Sequence, residues 1–243
     1  LKGDRRLSVP AFPLALALGA LGLFALLTVS AVAGGPRGWD RLLFRHLYSG
    51  EWDWAGGTTP GQSNPVLNAA EPTIYRLANA RLLVLFAAVL VVTLILLGRR
   101  RSAAFFTAGL AVTALVPVLK QLVDSPSPFP RPDDPSFPSG HATASMAVAA
   151  GIVALVGSSR WRWLAIVVGA MFVAAVGMAA VADSGHWPSD VLAGWCLALA
   201  WVAALTLMAG HWRERAPTRQ RQIRAPRSRA TRPAEIDGAA INQ

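Results

Sequence analysis

Four histidines occur in the chain, and two of them sit among residues whose types could move a phosphoryl group. His141 ends the run Ser136-Phe137-Pro138-Ser139-Gly140-His141, and His186 opens His186-Trp187-Pro188-Ser189-Asp190. Proline and serine are good helix-start residues. The first amides of a helix attract phosphate, and Gly140 lets an anion come close to the backbone. His141 would then stand beside the anion as a proton donor. His186 and Asp190 are four residues apart, a spacing at which a carboxylate can hold one imidazole nitrogen and make the other a better nucleophile or base. Lys120 could pair with phosphate, or it could snorkel to a membrane interface. Each piece also has a plain structural reading. Ser139 would simply cap a helix, Ser189 or Asp190 would cap another, and both histidines would be interfacial residues. Capping and catalysis are compatible, so the pieces alone leave both readings open.

The elements that must position these residues are apolar helices. Of 243 residues 53% are hydrophobic and 15% charged, and mean hydropathy is +0.42. A soluble domain carries about 25% charged residues. Six apolar stretches run over residues 10–33, 79–98, 103–123, 139–157, 163–182 and 189–210. Each is near the length that crosses a bilayer as a helix, and none alternates as a barrel strand does. The expected fold is all-α, a polytopic six-helix transmembrane bundle over residues 1–210 with a basic tail over 211–243. This excludes a soluble enzyme, a disordered chain and a disulfide-stapled secreted module. Cys196, the single cysteine, cannot form an internal bridge.

The first stretch has a rival reading as a signal peptide, because Lys2, Arg5 and Arg6 precede it and Ala31-Val32-Ala33 ends it. It is longer than a signal core, so a retained span is expected. Basic residues then set the orientation. Lys2, Arg5, Arg6, Arg99–Arg101, Arg160, Arg162 and the eight arginines from Arg213 to Arg232 fall on one side of a six-span chain. By the positive-inside rule both termini are cytoplasmic, and the histidine motifs face the extracytoplasmic side. A short surface helix is expected around residues 40–48, followed by an irregular stretch over 56–65. The tail's Pro and Arg content argues against a packed domain. It reads as a topology anchor or a binder of anionic headgroups, and its arginines lack the interleaved aromatics that would suggest nucleic acid.

The phrases Lys120…Pro138-Ser139-Gly140-His141…His186-Trp187-Pro188-Ser189-Asp190-Val191-Leu192-Ala193-Gly194 resemble the type 2 phosphatidic acid phosphatase and haloperoxidase superfamily. The resemblance covers the core from about the second span to the sixth. It implies a six-helix membrane phosphatase with an extracytoplasmic site, hydrolysing a lipid phosphate or diphosphate without metal or other cofactor. By the family pattern His186 attacks phosphorus and forms a phosphohistidine, Asp190 orients His186, and His141 protonates the leaving oxygen. Lys120, Ser139 and Gly140 hold the phosphoryl oxygens. The substrate would be an isoprenoid phosphate or a phosphatidic-acid-type lipid, drawn from the bilayer.

Two positions depart from that pattern. Where the family has arginines that grip phosphate, this chain has Ser127 and Ala180. Losing one donor to a transferring phosphoryl group costs about 2.7–4 kcal/mol. Arg131, in the loop after Ser127, could fold back as a substitute, and Arg76 or Arg81 could approach from the second span. Arg131 also reads as a loop residue balanced by Asp133 and Asp134. The chain is therefore expected to be an altered lipid phosphatase. The alternatives are a non-catalytic relative that binds a phosphorylated lipid or a partner protein, and a small transporter or scaffold. Restoring arginine at Ser127 and Ala180 together is expected to raise turnover in the phosphatase.

Overall fold

The computed structural model describes residues 11–33, 38–47, 80–128, 135–182 and 186–215. All six apolar stretches are helical there. The helices are α1 (Ala11–Val32), α2 (Gly38–Leu47), α3 (Ala80–Leu96), α4 (Arg100–Leu110), α5 (Leu115–Val123), α6 (Gly140–Val156), α7 (Arg162–Ala182) and α8 (Pro188–Arg215). No strand occurs among the described residues.

The third stretch is interrupted, and its sequence explains why. Between α4 and α5 lies a 3₁₀ turn, Ala111–Ala114. Pro117 follows at the start of α5. Proline has no N–H, and its ring crowds the carbonyl four residues earlier, that of Thr113. Tightening the turn before it avoids the clash. The Thr113 hydroxyl also donates to the Leu110 carbonyl at 2.8 Å.

By length and composition four helices can cross a membrane: Ala11–Val32, Arg100–Val123, Arg162–Ala182 and Pro188–Gly210. Leu82–Leu96 and Gly140–Val156 are shorter apolar helices. By this measure the expected six spans number four among the described residues. A 17-residue helix such as α6 reaches only about 25 Å, against a hydrocarbon core of about 30 Å.

α6 is the centre of the bundle. It packs on α7 and α8 and is flanked by α4, while α1 lies along α8 and α3 on α4. Its buried face is made of small residues, Ala142, Thr143, Ser145, Ala147, Ala149 and Gly151 among them, which let neighbouring backbones approach. The outer helices α1 and α3 turn Leu18, Leu21, Leu26, Val84 and Leu85 outward, as a lipid-facing surface requires. Lys120 at the end of α5, the start of α6 and the start of α8 lie at one end of the bundle. Arg99, the first residues of α4, Arg100 and Arg101, and the turn residue Arg160 lie at the other end.

The surface helix expected at 40–48 is present as α2, and it docks on α7 and α8 at the Lys120 end. It is amphipathic. Asp40 and Phe44, one turn apart, are buried, whereas Trp39, Leu42 and Leu43 are exposed.

Candidate active site

The first turn of α8 is held by two carboxylates. Pro188 is its first residue, where a missing N–H costs nothing. Asp190 reaches back, and its Oδ2 accepts the Trp187 N–H at 2.8 Å, the reciprocal half of a capping box. The next amide, that of Ser189, donates to Asp40 Oδ1 of α2, also at 2.8 Å. Trp187 is fixed twice more. Its indole Nε1–H donates to the Pro126 carbonyl at 3.0 Å, and its ring lies against Phe44 with centroids 5.1 Å apart.

His186 precedes this anchored residue. Its Nδ1 lies 2.9 Å from the backbone carbonyl of Ser136. A carbonyl only accepts, so Nδ1 carries the proton and the ring's lone pair belongs to Nε2. Asp190 Oδ2 is 3.9 Å from the same Nδ1, too far for a hydrogen bond. Asp190 therefore stands within ion-pair reach of the ring rather than hydrogen-bonded to it. The Ser136 carbonyl holds the ring, and Asp190, which accepts the Trp187 N–H, is a nearby buried carboxyl. Ser136 is itself pinned: its N–H donates to the Ser125 carbonyl at 2.9 Å. Its hydroxyl lies 3.2 Å from the Pro126 carbonyl.

Ser139 caps α6 as its sequence suggests, its Oγ accepting the Ala142 N–H at 3.4 Å. Its own N–H donates to the Asp190 carbonyl at 3.0 Å, which ties the two motifs together. Gly140 has no positive φ, and a methyl group there would make only an ordinary 3.6 Å contact with Val116. Neither backbone conformation nor packing demands glycine there. His141 is half-buried in that first turn. Lys120, in the last turn of α5, is near enough to act electrostatically on Asp190. Arg131 lies outside the described residues, as do Arg76 and the side chain of Arg81.

Gly194 sets the distance between α6 and α8. A Cβ there would lie 2.7 Å from the Ser139 carbonyl oxygen and 2.9 Å from Thr143 Oγ1. Gly194→Ala is expected to destabilise the protein by about 1–3 kcal/mol. By moving the Ser139 turn it should also slow any phosphoryl transfer, by up to about 100-fold. Thermal unfolding in detergent and steady-state kinetics check the two effects.

The sequence motifs pointed to Lys120, Ser139, Gly140, His141, His186 and Asp190, and these occupy one end of the bundle. Asp40, Phe44 and the Ser136 carbonyl were missed. Only the amphipathic pattern of residues 38–47 hinted at the first two. The positions of the absent arginines are occupied differently. Ala180 is buried in a cluster with Phe44, Ala142, Val181, Trp187 and Val191, and Ser127 is half-buried.

Fold and site together describe a multi-pass helical membrane protein with a capped helix start beside an oriented histidine. Residues 103–214, from α4 to α8, match the PAP2 superfamily. An undecaprenyl-diphosphatase from Sulfolobus acidocaldarius is 38% identical over 79 residues, 32% of this chain and 35% of that protein. The chain thus spans about a third of the length of the curated relative it matches. The fold is similar to that of a transmembrane PAP2-type phosphatidylglycerolphosphate phosphatase from Bacillus subtilis. The TM-score is 0.66 at 16% identity, covering 84% of this chain and 98% of that one.

Proposed function

We propose that the protein is a membrane phosphatase acting on a lipid phosphate or diphosphate at the Lys120 end of its bundle. The observation that carries this reading is the 2.9 Å contact between His186 Nδ1 and the Ser136 carbonyl. It assigns the lone pair to Nε2, the atom that would attack phosphorus. His141 protonates the departing oxygen, and a phosphohistidine forms on His186. Water then attacks that phosphorus, and His141, now a base, takes its proton. Lys120 and the first turn of α6, at Ser139 and Gly140, hold the phosphoryl oxygens. Arg131 is proposed to add a guanidinium to this clamp. The buried Asp190 carboxyl, when ionised, favours the positive imidazole that phosphoryl transfer creates.

Six helices crossing the bilayer, with α3 and α6 as short spans, put both termini in the cytoplasm and the site outside it. Residues 1–210 form the membrane unit in this reading, and 211–243 a cytoplasmic tail. The similarity to an undecaprenyl-diphosphatase makes an isoprenoid diphosphate the first substrate to try.

The occupied space at Ala180 favours a second reading, a relative that binds a phosphorylated lipid without turning it over. Purified protein offered isoprenoid diphosphates, phosphatidic acid and phosphatidylglycerolphosphate, with chelator present, separates the two. Phosphate release is expected. Saturable binding with no release from any of these lipids would establish the second reading instead.

A further inference from the structure

We propose that α2 is a working part of the active site, and that Asp40 is a positioning residue for His186. The proposal rests on the phosphatase reading for its kinetic consequences, but its geometry stands apart from it. Asp40 is 149 positions from the amide it serves and is only 2% exposed. A carboxylate removed from water is costly unless it is hydrogen-bonded. Here it meets the positive end of α8, where an anion is favoured. One turn later Phe44, 1% exposed, closes on the Trp187 ring. Asp40 and Phe44 therefore grip the two sides of Pro188, one through the Ser189 amide and the other through Trp187.

The consequence falls on His186, which is bonded covalently to Trp187. A backbone contact of its ring, Nδ1 to the Ser136 carbonyl at 2.9 Å, sets its rotation. Keeping that contact requires the start of α8 to stay in register with Ser136 on the opposite loop. Trp187 spans the gap by donating to Pro126, and Ser136 approaches the same carbonyl. Asp40 fixes the α8 side of this arrangement. Lost, it leaves the Ser189 amide without that acceptor and lets the first turn of α8 shift. A displacement of about 1 Å at a reacting group can cost on the order of 100-fold in rate. Substrate contacts on α5 and α6 would be untouched, so binding should change little.

Three variants test this in the full chain. In Asp40→Ala, kcat is expected to fall by about 10- to 100-fold with KM changed less than about twofold. Asp40→Asn keeps an oxygen acceptor at the same reach and should recover kcat to within about threefold. Asp40→Glu keeps the charge but misplaces the acceptor, and should resemble the alanine variant; it replaces that variant if alanine prevents folding. Nitrogen NMR of labelled histidine provides a readout independent of turnover. His186 should be a single Nδ1–H tautomer in the parent and Asp40→Asn, and averaged in Asp40→Ala. An unchanged kcat and tautomer in Asp40→Ala, or a loss confined to KM, would overturn the proposal. If the parent protein hydrolyses nothing, the phosphatase reading fails, and the tautomer comparison alone decides the role of Asp40.

Discussion

Replacing His186 by alanine is expected to abolish lipid-phosphate hydrolysis while leaving the bundle folded. In the proposed reaction Nε2 forms the covalent bond to phosphorus, so its removal eliminates the first step rather than slowing it. Losing the nucleophile of a concerted catalytic unit costs on the order of 10⁶ in kcat. The structural cost should be small. The ring is 13% exposed, and its contact with Ser136 contributes about 1 kcal/mol. Trp187 keeps its own contacts to Asp190, Pro126 and Phe44. Brief incubation with a radiolabelled lipid phosphate, followed by alkaline quench, should trap label on the parent and none on the variant. Turnover that survives in His186→Ala would remove the phosphohistidine from the mechanism.

The helices were readable because a span announces itself in composition: an apolar run near 20 residues has few other fates. The Ser139 cap and the His186–Asp190 spacing were readable because both are local, set by side chains within one turn of helix. What orients His186 was not. A backbone carbonyl has no side-chain signature, so the Ser136 carbonyl that contacts the ring beside Asp190 was not foreseeable. Asp40 was hidden for another reason. Its amphipathic helix was foreseeable, but the surface on which the buried face would land lies in α7 and α8, far along the chain. The break at Ala111–Ala114 shows the intermediate case, since Pro117 carries the signal but an apolar run conceals its consequence.

The other large effect concerns the position where the resembled family places an arginine. The sequence alone suggests that Ala180→Arg should help, by returning a phosphate clamp. The structure argues the reverse. Ala180 is 4% exposed and packed with Phe44, Trp187 and Val191. A guanidinium entering that cluster must displace Phe44 or remain as an unpaired buried charge, which costs about 3–5 kcal/mol. Displacing Phe44 would also pull α2 from the start of α8, so turnover should fall along with stability. Removing the obstacle should change the sign. In Phe44→Ala the space of a phenyl ring opens beside residue 180, and Ala180→Arg added to it should cost less than in the parent. A four-protein cycle measured by thermal unfolding in detergent is expected to give a coupling of about 1–3 kcal/mol. If Ala180→Arg alone proved as stable as the parent and faster, Phe44 would not be filling the arginine's place. A loss that Phe44→Ala relieves would show that this chain exchanged a cationic clamp for an apolar contact with α2.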